Sequence, residues 1–491
     1  MAKKLTKELF KEAQTYSQKI VDGLNTSVSP FHSVITVKAL LDAQNFKEIK
    51  ETETWDLEGG SKYYFTRNNS SICAFTVGKK VAQGAAPDSF KLVGCHTDSP
   101  CIRVAPISEI DTKGYKEIAV QWYGGGLWHT WLDRDLTFAG RVVILNEDTG
   151  KLEDKFWHHK DALVRIPNMC PHLQDGEERT TLKINKEDHL KPIIATSIID
   201  ALMDPEAELD EEKKEENKEE AKESRYSIEK KHLKSFLNLI AEEIGTTAEN
   251  IVDFELSMVD TNKSQLIGLH KEFISSGRLD NMLSSLTATH ALLEVSEDVQ
   301  DDRSVNLIYL FDHEEIGSRS DQGADGTLVK DSLERIYSTF NSGVVDVGYK
   351  AAIRHSLCVS ADMAHAIHPN YQHKHQALHS PIIHGGIVLK NNCNQRYMTD
   401  SVNSAILREI ANRAEVPLQD FIIKQDLPCG STIGPALASN VGMKVIDIGA
   451  PQLAMHSCRE FSGTTDTLYY HKLFAEFFRS FQEVAGDLLD H

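Results

Sequence analysis

The run Val305-Asn306-Leu307-Ile308-Tyr309-Leu310-Phe311 breaks off sharply into Asp312-His313-Glu314-Glu315-Ile316-Gly317-Ser318. A nearly continuous apolar stretch of this kind suits a strand buried on both faces of a parallel sheet, and such sheets belong to α/β folds. Four ionisable side chains then emerge together at the strand's carboxyl end, where open α/β sheets keep their chemistry. Two adjacent glutamates placed there repel one another and resist desolvation unless a cation lies between them or one is protonated, so a metal is the economical reading. A single Glu-Glu pair is more often a solvated acidic loop. The decision rests on the remainder of the chain.

Similar deliveries recur. Phe90-Lys91-Leu92-Val93-Gly94-Cys95 leads into His96-Thr97-Asp98, where a carboxylate two residues on can fix the tautomer and orientation of a ligating imidazole. The short apolar segment 355–361 ends at Asp362, followed by His365 and His368. Lys444-Val445-Ile446-Asp447-Ile448-Gly449 leads through Ala450-Pro451-Gln452 to His456, and Asp280 opens a helix over 282–295. Each residue alone would more often be structural. Together they offer two histidines and at least three carboxylates, the mixture of imidazole and oxygen that a pair of zinc ions favours.

Helical periodicity over 7–24 and 33–44, then a hairpin at 63–77, precede the His96 segment. From 101 to 255 the texture changes to strands such as 117–123, 136–145 and 162–166, separated by glycine-rich or polar turns. This predicts a β-rich domain inserted between two parts of a doubly wound α/β domain, 1–100 and 256–491. Within the insertion, 204–223 is a predominantly acidic run of mixed charge, expected to be a solvated, mobile loop or frayed helix rather than a binding site.

The formal charge of −20 argues against nucleic acid or an anionic membrane as partner. No run approaches the ~18 apolar residues needed to span a bilayer, and the amphipathic amino terminus lacks the apolar core of a signal peptide. Eight cysteines without CxxC spacing read as reduced thiols of a cytoplasmic protein.

Gly94-Cys95-His96-Thr97-Asp98-Ser99-Pro100, Arg278-Leu279-Asp280-Asn281, 312–318, Ser360-Ala361-Asp362-Met363-Ala364-His365-Ala366 and Leu453-Ala454-Met455-His456-Ser457 resemble, in order, the motifs of the M18 metalloaminopeptidases. The resemblance runs end to end and departs mainly at the acidic run. It implies a dinuclear-metal aminopeptidase domain carrying a β-rich dimerisation domain, with His96 and Glu315 on one ion, Asp362 and His456 on the other, and Asp280 bridging. It implies Glu314 as the general base for an activated water and Asp98 as the residue orienting His96. Which glutamate of the pair is the base comes from the resemblance alone. The ions would be two divalent cations per subunit, Zn2+ by ligand type, with Mn2+ or Co2+ also suited to so many carboxylates.

The likeness is strongest to the branch that removes amino-terminal Asp or Glu from peptides. Lys390 then matches the position that holds the substrate carboxylate, and Tyr397 one that hydrogen-bonds the tetrahedral intermediate. His365 and His379 match histidines near the site, in substrate-pocket or structural roles. In similar enzymes dimers build a tetrahedral dodecamer, where His172 resembles a histidine reaching a neighbouring subunit's site. Two other readings stand beside this one: the branch preferring neutral residues such as leucine, and a non-enzymatic assembly or cargo scaffold that has kept the fold.

Overall fold

The computed structural model describes residues 5–203, 228–341 and 347–489, so the acidic run 204–223 lies outside the described residues. Two compact units are present. One combines Met1–Ser99 with Ser264–His491, and the other is Pro100–Lys263.

The first unit is organised on a nine-stranded sheet. In spatial order its strands are Lys47–Glu48, Lys62–Arg67, Ser71–Val77, Ser304–Phe311, Ser89–His96, Leu357–Ala361, Lys444–Gly449, Ile387–Lys390 and Leu418–Phe421. The four in the middle, Ser304–Phe311 through Lys444–Gly449, run parallel. Every residue of Ser304–Phe311 and Ser89–His96 is buried, which explains why both read as apolar runs with little alternation. Alternate side chains nevertheless serve different cores. Ile308 and Leu310 join one cluster with helices Lys7–Thr26, Leu279–Ser296 and Thr464–Ala485. Leu307, Tyr309 and Phe311 join another beneath helix Leu328–Phe340. Helices therefore cover both faces, as in a doubly wound sheet. At about 1.5–3 kcal/mol per fully buried large apolar side chain, this double burial anchors the strands whose ends carry the chemistry.

Local signals set the flanking helices. Thr6 caps Lys7–Thr26 by accepting the Leu9 amide at 3.1 Å, and Pro30 occupies the first turn of Pro30–Ala43 behind the cap Ser29. The hairpin forms from Lys62–Arg67 and Ser71–Val77. A five-stranded sheet unforeseen in the sequence orders Gln265–Ile267, Phe273–Ser276, Glu460–Gly463, Pro451–Leu453 and Ala364–His365.

The second unit is a six-stranded antiparallel sheet ordered Lys151–His158, Leu136–Asn146, Ile251–Asp260, Cys101–Thr112, Tyr115–Tyr123 and Ile193–Thr196. The strand expected over 162–166 does not form. Val164 and Arg165 make only isolated bridges, to Leu136 and Ile193. Gly140 permits the closest cross-strand approach, because a Cβ there would stand 1.9 Å from the Glu255 carbonyl oxygen. The unit runs on past residue 255, taking in the whole strand Ile251–Asp260. Among the described residues no helix is long and apolar enough to cross a membrane.

Candidate metal centre and substrate cavity

Register decides which residues can meet. Phe311 pairs with His96 and Ser360 with Gly94, so the parallel strands end nearly level and release Glu314, His96 and Asp362 at one edge. His96 is the last residue of its strand and is buried. Its Nδ1 lies 3.0 Å from the Asp98 carbonyl oxygen, which can only accept. The ring hydrogen therefore sits on Nδ1, leaving the Nε2 lone pair directed at Asp280 Oδ1, 3.3 Å away.

Asp98 also has a second task. Its two carboxylate oxygens accept the backbone amides of Glu314 and Glu315, each at 3.1 Å. These are the first amides of the short 3-10 turn Glu314–Ile316, which starts after His313 in a left-handed conformation (φ 65°) and ends at Gly317 (φ 100°). A carboxylate at the start of such a turn satisfies amides that have no partner within it. The turn thus follows the strand at once and aims both glutamates inward.

Asp280 interrupts the start of Leu279–Ser296 with non-helical angles (φ −82°, ψ 103°) and precedes a cis peptide bond to Asn281. Ser99 Oγ donates to its carbonyl at 2.5 Å, and its own amide donates to Glu460 Oε2 at 3.0 Å. His456, also left-handed (φ 66°), donates its amide to Glu460 Oε1 at 2.8 Å. Its Nε2 lies 3.4 Å from both Asp280 Oδ2 and Glu315 Oε2. His96 Nε2 is 3.7 Å from Asp362 Oδ1 and 3.8 Å from Glu314 Oε2.

The five expected ligands and Glu314 therefore converge. Ligand atoms of His96, Glu314 and Asp362, and of His96, Asp280 and Glu315, lie within 4.8 Å of one another. The contacts that His456 makes pair it with Glu315, whereas the expected division set it with Asp362.

Three buried atoms at the centre, His96 Nε2, Asp280 Oδ1 and Glu315 Oε1, have no hydrogen-bond partner. Such atoms are costly unless something binds them. Burial, reinforced by the Asp280 charge, holds Glu315 well above the usual carboxylate range. Burial also pushes Glu314 up to about 8, with Asp362, Asp98 and Asp280 adding to it against the pull of His96. Clustered carboxylates, two imidazoles and unpartnered inward atoms fit divalent cations.

Asp280, Glu314, Glu315, Asp362 and His456 line a cavity of about 900 Å³ that also receives His365, Lys390 and Tyr397, with Arg319 and Arg396 among its lining residues. Lys390 is almost wholly buried. Its ammonium donates to Asp362 Oδ2 at 3.2 Å and lies 5.6 Å from the centre of the Tyr397 ring. Buried Asp447 holds the loop after Tyr397, accepting the Met398 amide at 2.6 Å and the Thr432 hydroxyl at 2.5 Å. His365 packs edge-on against Phe421, 5.8 Å between ring centres. His379 turns back to its own loop, Nδ1 lying 2.8 Å from Gln376 Oε1, and does not line the cavity. His172 is exposed and belongs to the second unit.

Sequence reasoning missed Glu460, Asp447 and the second task of Asp98. The one available sign for Glu460 was its position four residues beyond His456.

Residues 24–478 match the family described as aminopeptidase I zinc metalloprotease (M18). A Ricinus communis protein named probable aspartyl aminopeptidase is 42% identical over 480 residues, covering 96% of this chain and 97% of that one. A chain from the cryo-EM structure of the Ape4 and Nbr1 complex superposes with a TM-score of 0.88 at 36% identity, covering 98% of this chain and 89% of that one. A chain of the Saccharomyces cerevisiae mApe1 dodecamer structure superposes with a TM-score of 0.80 at 29% identity, covering 97% of this chain and 99% of that one.

Proposed function

The chain belongs to the M18 family of zinc metalloproteases, and from that premise we propose that it is a metal-dependent aminopeptidase removing Asp or Glu from the amino termini of peptides. The observation that carries the reading is the convergence of His96, Asp280, Glu314, Glu315, Asp362 and His456 on buried, unpartnered ligand atoms.

Asp280 stands between the two histidines, one carboxylate oxygen toward each. We assign His96 and Asp362 to one ion, His456 and Glu315 to the other, and Asp280 to both. Two Zn2+ ions per subunit suit that donor set. When bound, such a pair supplies Lewis acidity, polarising the scissile carbonyl and making a water nucleophilic near neutral pH.

Glu314 is left outside that ligand set but close to it. Its carboxylate takes the proton from the attacking water and returns it to the leaving amine. Asp98 holds Glu314 in place through the turn amides and keeps the His96 tautomer. The Tyr397 hydroxyl donates to the developing oxyanion.

Lys390 gives the acidic preference a physical basis. A buried ammonium in a carboxylate-lined cavity of an acidic protein can exchange its bond to Asp362 for one to an entering carboxylate, so a charged substrate side chain is paired rather than stranded. The likeness to the mApe1 dodecamer supports a homo-oligomer, and we extend this to a tetrahedral dodecamer assembled from dimers that form through the second unit, with His172 contributing to a neighbouring site. None of the eight cysteines is paired in a disulfide, which suits a reducing compartment such as the cytoplasm.

The test is initial rate on matched peptides beginning with Asp, Glu, Leu or Arg, with and without chelator. Chelator-sensitive preference for Asp and Glu is expected. Preference for Leu would remove the role given to Lys390 and keep the metal chemistry, while no cleavage by metal-loaded, assembled protein would favour a scaffold.

A further inference from the structure

Glu460 ties together two loops that arrive from different strands. It is the first residue of Glu460–Gly463, the middle strand of the five-stranded sheet. On one side lies Phe273–Ser276, whose chain continues to Asp280, with Ser276 paired to Glu460 itself. On the other lies Pro451–Leu453, whose chain continues to His456. The Glu460 side chain is 2% exposed, and its oxygens divide between the two loops. Oε2 accepts the Asp280 amide at 3.0 Å, and Oε1 accepts the His456 amide at 2.8 Å with Gln452 Nε2 at 3.5 Å. Across the span so fixed, Asp280 Oδ2 and His456 Nε2 stand 3.4 Å apart.

We propose that Glu460 is a positioning residue that sets the spacing of Asp280 and His456, and that the metal affinity of the centre depends on it. The inference rests on the ligand assignment made above. One rigid carboxylate grips the backbone of both residues, so neither side chain can retreat without losing a buried hydrogen bond. An outer partner of this kind typically governs about 10–100-fold in metal affinity.

Asp466 provides a matched control. It is equally buried and also accepts two backbone amides, from His384 at 2.6 Å and Gly386 at 2.9 Å, but neither donor is a proposed ligand. A merely structural role would make Glu460→Gln and Asp466→Asn behave alike.

In Glu460→Gln the amide oxygen is best placed toward His456 and Gln452, which turns the –NH2 group against the Asp280 amide. The experiment titrates full-length assembled protein with Zn2+ against a competing chelator, and records the visible absorption of the Co2+ form together with the melting temperature of the metal-free form. Glu460→Gln should bind Zn2+ about 10–100-fold more weakly with a changed Co2+ spectrum. Asp466→Asn should lose thermal stability while keeping wild-type affinity and spectrum.

Wild-type affinity in Glu460→Gln, or an equal loss of affinity in Asp466→Asn, overturns the proposal. Absence of stoichiometric metal in the wild type would instead defeat the ligand assignment. If Glu460→Gln does not fold, Glu460→Asp keeps both oxygens but withdraws them by one methylene. It should weaken Zn2+ in the same range, and wild-type affinity in that variant overturns the proposal equally.

Discussion

The two units handle charge in different ways. In the first, the strands Ser89–His96 and Ser304–Phe311 are buried along their whole length and release imidazoles and carboxylates only where they end, Lys91 being the one charged side chain within them. In the second, Cys101–Thr112 alternates buried and partly exposed positions over its first five residues and is mostly exposed beyond them, and charge appears along the strands themselves, as in the cross-strand pair of Arg141 and Glu255. A doubly covered strand cannot carry a carboxylate in its middle without a large desolvation cost. Its carboxylates are therefore concentrated at one rim, where they mean something, and the exception, Asp447 within Lys444–Gly449, is met by the Met398 amide and the Thr432 hydroxyl. On a sheet with a solvated face, a carboxylate can stand anywhere and says little about function.

Several changes would sharpen or break that contrast. Glu314→Gln, at the rim of the first unit, should lower kcat by about 10²–10⁴ while metal content and assembly stay as in the wild type. Single-turnover kinetics beside metal analysis would check it, and a silent substitution would strip the rim of its meaning. Leu307→Ala, at a fully buried position of the central strand, should cost about 2–5 kcal/mol in denaturant unfolding. His172→Ala should reduce turnover of the assembled protein by roughly tenfold, the worth of about one hydrogen bond, with unchanged melting temperature and Zn2+ affinity. Unaltered turnover there would confine the chemistry to the first unit. Leu152→Ala, on a strand of the second unit at a side chain 59% exposed, should change stability by no more than about 0.5 kcal/mol. A loss as large as that of Leu307→Ala would mean that the outer face of the antiparallel sheet is covered in the assembly.

The same contrast governs what the sequence disclosed. Strands 304–311, 89–96 and 444–449 were legible because double burial leaves a continuous apolar run, and His96, Glu314 and Glu315 were legible because they end or closely follow such runs. The segment 162–166 misled because it has a strand's apolar pattern but only isolated bridges to Leu136 and Ile193. The five-stranded sheet escaped notice because its strands, such as Pro451–Leu453, are too short to show any period. Glu460 left almost no trace in the sequence for another reason. Its partner amide at Asp280 is 180 residues away, and a backbone donor leaves no residue-type signature at either end. Lys390 could be picked out by resemblance, yet its bond to Asp362 arises only because Ile387–Lys390 and Leu357–Ala361 flank the same strand, Lys444–Gly449, in the sheet.

The order of strands in the central sheet has a consequence for synthesis. The Ser89–His96 strand lies between Ser304–Phe311 and Leu357–Ala361, and Thr97 meets Phe311 across 214 residues of chain. At roughly 5–20 residues per second, translation takes about 10–40 s to cover that distance. During this interval a strand destined for full burial has neither of its lasting neighbours. The second unit is one uninterrupted segment, so all six of its strands are available once residue 263 has emerged. The inserted sheet can close first, while the metal-binding rim waits for the last third of the polypeptide.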